Sequence, residues 1–317
     1  MQSAATALKA LGHPERLRIV ALLARGELTV SELTQILSLS QPRVTQYIKT
    51  LEAAHIVERL KEGSWVFSRL SRHNPQIATL TQGAISALPQ NDALLVTDHG
   101  KLLTVRKMRA KAAQDFFASL ASNSQSLSAE YLPRGDIETH MRGLAGKGPF
   151  NFMVDLGTGT GRILEVFADR AARGAGIDSS PEMLAVARHN LSGQKLNHLT
   201  VRHGDLQTVP FDNGAADFVT LHQVLHYLDE PAKAIAEAGR LLSPGGALMI
   251  VDFDSHAREE FREQYAHRRL GFSDDEISAW MELAGLKLSQ TRRVNPSEPL
   301  APPVKLWLGK KSFETAP

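Results

Sequence analysis

The nine residues VDLGTGTGR, Val154 to Arg162, place three glycines at alternating positions after a short apolar run. Glycine has no side chain, so Gly157, Gly159 and Gly161 would let a small molecule lie against bare backbone. Such a loop also serves as a tight turn between a strand and a helix, and by itself it is weak evidence for a ligand. Asp155 adds information, because a carboxylate beside the loop repels a pyrophosphate and suits a ligand with ammonium and sulfonium groups.

Two more carboxylates end the following apolar runs. Asp178 closes AGID and, at the end of a second strand, can accept both ribose hydroxyls of NAD or of S-adenosylmethionine. Asp205 in HGDL follows a third run and offers an acceptor to an adenine amino group. Together the three carboxylates favour a positively charged nucleoside without phosphate over a dinucleotide.

These residues need a scaffold that brings them to one edge. From residue 150 onward, short apolar runs alternate with helical patterns. A helix is expected over residues 162–174, another begins after the N-cap Ser180, and Ser273 with Glu276 has the spacing of a capping box. The alternation predicts an α/β fold, with a doubly wound and mostly parallel sheet whose ligand lies at the carboxyl ends of the strands.

The first 72 residues show a different pattern, three short helices followed by a hairpin. Leu17, Val20 and Leu23 have helical spacing in the first of these helices. Thr29 and Glu32 then have the spacing of a capping box, which opens the second helix.

The third helix follows the N-cap position Ser40 and carries Pro42 in its first turn. Its buried stripe is expected at Val44, Ile48 and Leu51. The opposite face carries polar side chains suited to base edges and phosphates, and the hairpin around the turn at residues 62–63 adds basic ones. The predicted DNA-binding residues are Ser40, Gln41, Arg43, Thr45, Gln46, Lys49, Arg59 and Lys61.

Residues 11–70 resemble the ArsR-type winged-helix repressors across that whole domain. The resemblance is carried by HP.R..I...L at the start and by S...V...I..L..A.IV in the recognition segment. It implies a homodimer that reads a palindromic double-stranded DNA operator. Without the resemblance, the same pattern also fits a small helical protein-interaction domain. Metal sensing, which occurs in that family, is not expected here, because His13, His55 and His73 lack ligand spacing.

Residues 150–285 resemble the class I S-adenosylmethionine-dependent methyltransferases. Five motifs occur in the family order and at the family spacing: VDLGTGTGR, GIDSSPEML, GDLQTVPF, FVTLHQVLHYLDEP and LLSPGGALMIVDF. The resemblance implies a seven-stranded Rossmann-like sheet with VKLWLG as an antiparallel insertion. It also implies S-adenosyl-L-methionine or S-adenosyl-L-homocysteine as the cofactor.

The resemblance assigns the glycines to the methionine side of the cofactor, Asp178 to its ribose, and Asp205 with Leu206 to its adenine. The predicted cofactor-binding residues are Asp155, Gly157, Thr158, Gly159, Gly161, Asp178, Ser179, Met183, Gly204, Asp205, Leu206, His222 and Gln223.

Catalytic residues are harder to predict. Methyl transfer is an in-line displacement, and a base is needed only when the nucleophile must lose a proton. His222 and His226 lie near where acceptors enter. Their spacing hints at a metal, but His222 belongs to a strand end rather than a helix, so no metal site is predicted. His256 and the basic run 265–272 are expected to line the acceptor side or an anion site, or else to lie on exposed surface.

Several absences narrow the function. The chain has no cysteine, which excludes disulfides, thiolate metal sites and cysteine nucleophiles. The [DN]PP[YF] motif of DNA amino-methyltransferases is missing after the fourth strand, which reads LHQV, so DNA modification is not expected.

Basic side chains are in excess in residues 1–150 and acidic ones in residues 151–317, so only the first half favours a polyanion. Neither a signal peptide nor an apolar run of roughly 18 residues occurs, so we expect a cytoplasmic protein without membrane contact.

We therefore predict a winged helix-turn-helix domain at 1–72, a helical dimerisation and linker region at 73–148, and a methyltransferase domain at 149–317. Phe116 and Phe117 are expected in a core. Three functions stay open: a regulator whose methyltransferase-like domain binds S-adenosylmethionine or S-adenosylhomocysteine, an active methyltransferase with a small-molecule acceptor and a DNA-binding head, or an enzyme whose head only dimerises it.

Overall fold

The computed structural model describes residues 2–62, 65–71, 74–89, 91–122, 134–194, 196–295 and 302–313. The chain forms two compact units, Met1–Lys111 and Ala112–Pro317. Their boundary falls within the segment 73–148, which we predict to link the domains. The side chains of Phe116 and Phe117 lie outside the described part of the chain. Among the described helices, none has both the length and the apolar character needed to cross a membrane.

The first unit packs helices around a small sheet. Its helices are α1 (Gln2–Leu11), α2 (Pro14–Leu23), α3 (Val30–Leu37), α4 (Gln41–Ala53), α5 (Pro75–Ser86) and the long α6 (Ala93–Ser122), which continues past the unit boundary. Three antiparallel strands pair in the order β1-β3-β2, namely β1 (Leu28–Thr29), β2 (Val57–Glu62) and β3 (Trp65–Leu70).

Local sequence signals account for these helices. The Thr29 hydroxyl accepts a hydrogen bond from the Glu32 N–H, and the Glu32 carboxylate accepts one from the Thr29 N–H, which completes the predicted capping box. Ser40 occupies the N-cap of α4, but its side chain makes no capping hydrogen bond. The predicted apolar stripe of α4 is buried at Val44, Ile48 and Leu51.

The beginning of α6 is fastened to the helix-turn-helix elements. Asp98 is 2% exposed, and its two carboxylate oxygens accept hydrogen bonds from the Arg18 guanidinium of α2, each at 2.7 Å. Lys101 donates a hydrogen bond of 2.7 Å to the hydroxyl of Ser38, which ends α3. These contacts connect the beginning of α6 to α2 and to the end of α3.

The second unit is an α/β domain around a seven-stranded sheet. The strands are β4 (Met153–Leu156), β5 (Gly174–Asp178), β6 (Leu199–His203), β7 (Ala216–His222), β8 (Leu242–Phe253), β9 (Leu286–Val294) and β10 (Val304–Lys311). They pair in the order β6-β5-β4-β7-β8-β10-β9. β10 is antiparallel to both of its neighbours and the other pairs are parallel, which confirms the predicted mostly parallel sheet with an antiparallel insertion.

Helices flank this sheet. They are α7 (Arg134–Ala145), α8 (Arg162–Val166), α9 (Pro181–Gly193), α10 (Pro231–Leu241), α11 (Glu260–Tyr265) and α12 (Asp274–Leu283), with a 3-10 turn at Leu225–Tyr227. The predicted caps are present, because the Ser180 hydroxyl accepts from the Met183 N–H and Ser273 forms a capping box with Glu276.

One predicted helix is shorter than expected. The helix expected over 162–174 ends as α8 at Val166 and continues as turns. The backbone of Phe150 pairs with this stretch, since its N–H donates to the Arg170 carbonyl and its carbonyl accepts from the Ala172 N–H. These bonds form a short parallel bridge, which a continuous helix would not allow.

Candidate cofactor site and DNA-binding face

The candidate site lies where the strand order of the sheet reverses. β4 pairs in parallel with β5 on one side and with β7 on the other. The glycine loop follows β4, Asp178 ends β5, and His222 ends β7. Because parallel strands present their carboxyl ends at one edge, these three features border the same crevice, which is where ligands bind in such sheets.

The three glycines of the loop meet different surroundings. Their φ angles of 78°, 52° and 81° at Gly157, Gly159 and Gly161 lie in the left-handed region. A Cβ atom at Gly157 would lie 2.5 Å from Cγ2 of Val224, and one at Gly161 would lie 3.3 Å from the Cβ of Ala187. A Cβ atom at Gly159 would meet no described atom within 4 Å. Gly157 and Gly161 therefore permit close packing, whereas Gly159 borders open space.

Asp178 holds the glycine loop in place. Its Oδ2 accepts a 2.8 Å hydrogen bond from the Gly159 N–H, and its Oδ1 accepts one of 2.9 Å from the Ser180 N–H. Burial raises the pKa of the Asp178 carboxyl, and these backbone donors offset part of that rise. Carboxylate oxygens accept more than one hydrogen bond each, so Asp178 can fix the loop and still accept hydroxyls.

Asp155 is buried at the end of β4, with 1% of its surface exposed. Its Oδ1 accepts a 2.6 Å hydrogen bond from the Thr220 hydroxyl. Its Oδ2 and the Thr158 hydroxyl have no partner with hydrogen-bond geometry among the described residues. Burial raises the pKa of Asp155 to about 6, although the nearby hydroxyls of Thr220 and Thr158 act to lower it. A buried carboxylate oxygen without a donor is costly unless a ligand satisfies it.

The other predicted cofactor residues after β5 and β6 line the same edge of the sheet. Met183 is buried in the first turn of α9 and Leu206 is half-buried, while Ser179 and Asp205 are exposed. Gly204 is tied to β5, because its N–H donates to the Asp178 carbonyl at 3.0 Å.

The loop after β7 packs against the glycine loop. Gln223 has a φ of 52°, which residues other than glycine rarely adopt. Its N–H donates a 2.7 Å hydrogen bond to the Val251 carbonyl, and its side-chain nitrogen is buried without a partner among the described residues. Val224 follows directly and faces Gly157. Left-handed backbone and an unsatisfied amide together are typical of functional positions.

A buried histidine–aspartate pair lies two residues further along this loop. His226 is 1% exposed and Asp252 is fully buried. Nδ1 of His226 lies 2.6 Å from Oδ1 of Asp252, whose Oδ2 accepts a 3.0 Å hydrogen bond from the Leu225 N–H. The Nε2 atom of His226 is buried and has no partner in the described part of the chain. A carboxylate at Nδ1 favours the tautomer in which Nδ1 holds the proton and Nε2 keeps its lone pair.

Aromatic rings surround His226. The ring centroids of His267 and Tyr227 each lie 4.0 Å from that of His226, and that of Phe253 lies 5.1 Å away. Burial lowers the pKa of His267 far below its usual value and lowers the pKa of His256 to about 4. Both side chains are therefore neutral at physiological pH.

The segment that supplies His267 is folded into the domain. Arg262, Arg268 and Arg269 are 8%, 7% and 1% exposed. The backbone N–H groups of Arg268 and Arg269 donate to the His226 carbonyl at 2.9 and 3.0 Å, and the Arg269 guanidinium pairs with Glu276 at 2.8 Å. The exposed-surface alternative for the run 265–272 is therefore wrong, because ion pairs and backbone bonds make it possible to bury these arginines.

Within the described ranges, no three His, Asp or Glu side chains are grouped so as to hold a metal ion. His222 ends β7 and is half-buried, whereas His226 belongs to the 3-10 turn beyond it. The strand end and the turn thus separate the two residues whose spacing suggested a ligand pair.

In the first unit, the predicted DNA-reading residues line one face of α4. Gln41, Gln46 and Lys49 are exposed and Thr45 is half-buried, opposite the apolar stripe. Ser40 is exposed just before the helix.

Arg43 is exposed on this face but has an acidic partner. Its Nη2 lies 2.9 Å from Oε2 of Glu15 in α2, and its Nε donates a 2.9 Å hydrogen bond to the Tyr47 hydroxyl. Tyr47 also donates to Glu15, and this bond lowers the pKa of the Glu15 carboxyl. The guanidinium is thus oriented before any DNA is bound.

The basic side chains of the hairpin are also paired. Arg59 lies 2.7 Å from a carboxylate oxygen of Glu52, and Arg69 contacts Glu58 at 2.5 Å and Glu27 at 3.4 Å. The side chain of Lys61 lies outside the described residues.

Two family models match separate parts of the chain. Residues 13–59 match the model described as bacterial regulatory protein, arsR family, and residues 154–250 match the model described as methyltransferase domain. The chain carries an ArsR-type helix-turn-helix domain followed by a class I methyltransferase domain. Both resemblances inferred from the sequence are confirmed.

Curated relatives match the methyltransferase part. A Streptomyces fradiae protein, described as uncharacterised and encoded in transposon TN4556, is 38% identical over 112 residues, covering 34% of this chain and 32% of that protein. A demethylmenaquinone methyltransferase of Thermus thermophilus is 35% identical over 103 residues, covering 32% of this chain and 46% of that protein. The chain thus spans less than half the length of these relatives.

Solved structures share the fold of the second unit. A chain from the complex between the Haloferax volcanii Trm112 methyltransferase activator and a methyltransferase aligns with a TM-score of 0.54 and 21% identity, covering 65% of this chain and all of that one. The N-methyltransferase NodS of Bradyrhizobium japonicum, solved in complex with S-adenosyl-L-homocysteine, gives 0.52 and 16%, covering 63% and 98%. At these identities the likeness shows the fold alone.

Sequence reasoning missed Asp252, and it named His267 only as part of the run 265–272. Asp252 lies next to the end of the apolar run MIVDF, so it carries the same signal as Asp155, a carboxylate close to the end of an apolar run. His267 reaches His226 from 41 positions further along the chain. No local spacing marks that contact, so only the folded chain reveals it.

Proposed function

We propose that this protein is a transcriptional regulator that binds S-adenosylmethionine or S-adenosylhomocysteine in its methyltransferase domain and couples the occupancy of that site to operator binding. One observation carries the proposal: the same chain has an exposed polar recognition helix and a glycine loop that opens onto free space at Gly159. A cofactor site in the same chain as a DNA-binding domain allows the concentration of the cofactor to change the affinity for the operator.

The residues at the carboxyl edge of the sheet fit this cofactor. Gly159 leaves room for the ligand beside the backbone. Oδ2 of Asp155 is a buried acceptor whose neighbouring hydroxyl, that of Thr158, is not in hydrogen-bond geometry, and the cofactor ammonium offers it a charged donor. Asp178 accepts the ribose hydroxyls, and the unsatisfied amide nitrogen of Gln223 donates to a ligand oxygen. When bound, S-adenosylmethionine supplies an electrophilic methyl group.

The site also offers a way to distinguish the two forms of the cofactor. S-adenosylmethionine carries a sulfonium charge that S-adenosylhomocysteine lacks. Asp155 is buried and Asp178 is half-buried beside the loop, and a charge removed from water interacts strongly with a nearby one because little water screens it. The two ligands therefore need not have the same effect on the protein.

The recognition helix supports DNA binding. Arg43 and Gln46 are the side-chain types that make bidentate contacts to guanine and adenine, and Lys49 is suited to a phosphate. All three are exposed on α4. The resembled family reads palindromic operators as homodimers, and we propose the same here.

Exposed apolar side chains support the homodimer. Leu8 of α1 and Leu94 and Val96 of α6 are each 56% exposed, and Leu103 of α6 is 45% exposed. Large apolar side chains that are exposed in one copy of a chain are candidates for burial at an interface. We propose that a second copy of the first unit covers them.

A second candidate function is that of an active methyltransferase with a small-molecule acceptor. The Asp252–His226 pair favours it, because a regulator that only binds the cofactor has no need of a buried histidine that is oriented by a carboxylate and has an Nε2 atom without a partner among the described residues.

Selection from a random double-stranded DNA pool, followed by titration of the selected site, tests the regulator. We expect a palindromic site bound by a dimer. If no sequence is enriched, the regulator is excluded and the head only dimerises an enzyme.

A further inference from the structure

We propose that His226, positioned by Asp252, is a general base that takes the proton of a phenolic or enolic hydroxyl while that oxygen is methylated. This inference rests on the proposed function, since the methyl donor is the cofactor proposed above. It goes further in naming the acceptor class and the residue that receives the proton.

The geometry of the pair is that of an oriented base. Nδ1 of His226 lies 2.6 Å from Oδ1 of Asp252, and Asp252 is itself fixed by the N–H groups of Leu225 at 3.0 Å and Phe253 at 2.8 Å. The carboxylate holds the proton on Nδ1 and stabilises the imidazolium that forms when Nε2 is protonated. Nε2 is buried without a partner among the described residues, so a proton donor satisfies it.

The base lies two residues beyond a contact with the glycine loop. Val224 faces Gly157 of the glycine loop, and His226 follows two residues later. The Gln223 N–H and the Asp252 carboxylate fasten the intervening loop to β8. Most of the cofactor residues follow β4, β5 and β6, and only His222 and Gln223 of that set follow β7, so the acceptor is assigned to the β7 and β8 side of the crevice, beyond Gln223.

The surroundings of the base favour a flat, uncharged acceptor. Rings of Tyr227, Phe253 and His267 pack around His226, and such rings bind aromatic molecules by offset or edge contacts. The charged groups nearby are paired, since Arg268 contacts Asp229 and Arg269 contacts Glu276.

The base also indicates how acidic the hydroxyl group of the acceptor must be, because an imidazole removes protons only from sufficiently acidic groups. A neutral imidazole can take a proton from a phenol, whose own pKa is about 10, as the new bond forms. It is poorly matched to an alkyl alcohol, which is far less acidic. An amine acceptor that is already the free base needs no proton removed before it attacks. A phenolic or enolic hydroxyl is the group that this base serves best.

In the step itself, the acceptor oxygen forms a bond to the methyl carbon while the carbon–sulfur bond breaks and its electron pair stays on sulfur. The hydroxyl proton goes to Nε2 of His226, and the resulting imidazolium returns it to solvent after the product leaves. No oxidant or further co-reactant is needed.

The test uses the full-length protein, with catechol as the phenolic probe and methyl-labelled S-adenosylmethionine as the donor. The variants are His226→Gln and Asp252→Asn, with His189→Gln on the exposed part of α9 as the matched control. Calorimetry with S-adenosylhomocysteine and thermal unfolding check that each variant folds and keeps the cofactor site. Nitrogen-15 NMR of the imidazoles reports the tautomer without any turnover.

We expect Nδ1–H and a bare Nε2 at His226 in the wild type, and catechol binding to the protein loaded with S-adenosylhomocysteine. His226→Gln should lower catechol methylation by about 100-fold or more, the usual contribution of a general base, while cofactor affinity changes less than about twofold. Asp252→Asn should move the proton to Nε2, because an amide can donate to Nδ1.

Three results overturn the inference: a wild-type His226 with its proton on Nε2, a loaded protein that does not bind catechol, or a His226→Gln variant that methylates catechol as the wild type does. A wild-type protein that binds neither form of the cofactor instead removes the proposed function.

Discussion

The N–H of Gly159 donates a 2.8 Å hydrogen bond to the carboxylate of Asp178, so the glycine loop and the end of β5 meet at one side chain. This bond links the two strongest sequence signals of the second unit. It places the open side of Gly159 next to the carboxylate that is expected to bind the ribose. A substitution at either Gly159 or Asp178 should therefore lower the affinity for the cofactor.

Replacing Asp178 should weaken the binding of both cofactor forms. The carboxylate is mostly buried, and hydrogen bonds to charged groups are worth about 1.5–3 kcal/mol each, so Asp178→Ala should raise the Kd by roughly 30-fold or more. Dimerisation should be unchanged, because the residue lies in the second unit. Calorimetry measures the Kd, and an unchanged value would remove Asp178 from the site.

Two glycine substitutions should separate ligand contact from packing. Gly159→Ala places a methyl group in open space and costs about 1–2 kcal/mol of backbone strain, so the protein should fold and lose cofactor affinity. Gly157→Ala places a methyl group 2.5 Å from Val224, so it should lower the Tm by more. Equal cofactor affinity in Gly159→Ala and the wild type would contradict a ligand beside this backbone.

Cofactor affinity should depend on pH through Asp155. Its raised pKa of about 6 means that the carboxylate is charged at pH 7 and becomes protonated as the pH falls through 6. Binding of a positively charged ligand should therefore weaken from about pH 7.5 to about pH 5, because the protonated acid no longer attracts the charge. Calorimetry across this range should show the loss in the wild type, and Asp155→Asn should bind weakly at every pH.

The raised pKa of Asp155 should also make the stability of the unliganded protein depend on pH. The ionised form of Asp155 is disfavoured in the fold, so the unliganded protein loses stability as the pH rises through the range between 3.8 and about 6. Asp155→Asn keeps an acceptor for Thr220 and should raise the free energy of unfolding above pH 6, by up to about 3 kcal/mol. Urea unfolding of both proteins checks the sign. A variant that is less stable at pH 8 would show that the charge is already satisfied.

In the recognition helix α4, Arg43 and Gln46 should contact bases and Lys49 should contact a phosphate. Arg43→Ala and Gln46→Ala should each cost roughly 1–3 kcal/mol on a selected operator and relax specificity at one base pair. Lys49→Ala should weaken all DNA about equally and reduce the salt dependence of binding. Fluorescence anisotropy at several salt concentrations distinguishes the two patterns. Wild-type affinity in all three variants would mean that another surface binds DNA.

The buried pair Arg18–Asp98 should be needed for a stable first unit. Asp98→Ala leaves the half-buried Arg18 guanidinium without its partner, which for a buried ion pair costs about 3–5 kcal/mol. The double variant Arg18→Met with Asp98→Leu should recover much of that loss, because no charge is left unpaired. Chemical unfolding compares the three proteins, and equal stability of the single variant and the wild type would show that the pair contributes little.

The sequence was sufficient for the order of the elements and for the cofactor edge, because both depend on local signals. The alternation of apolar runs and helices predicts the sheet, and carboxylates that close apolar runs predict Asp155 and Asp178. The length of α8 was not predictable, since the bridge from Phe150 that ends it joins distant residues.

The acceptor side was less predictable for the same reason. His226, Asp252 and His267 come from three elements separated in sequence, and neither their contact nor the burial of the arginines leaves a periodic pattern. A basic run with two adjacent arginines has the composition of a surface segment. Only its ion pairs and the backbone bonds to His226 make its burial possible.

If cofactor binding and operator binding are coupled, the affinity for the operator must depend on the ligand in the methyltransferase domain. A selected operator is titrated with the apo protein and with the protein saturated by S-adenosylmethionine or by S-adenosylhomocysteine. A ligand changes DNA affinity only if it binds two conformations of the dimer unequally, and coupling of this kind is usually about 1–3 kcal/mol. We expect the two ligands to shift operator affinity by different factors, within about 5- to 150-fold. Three identical binding curves would contradict the regulator and leave the methyltransferase.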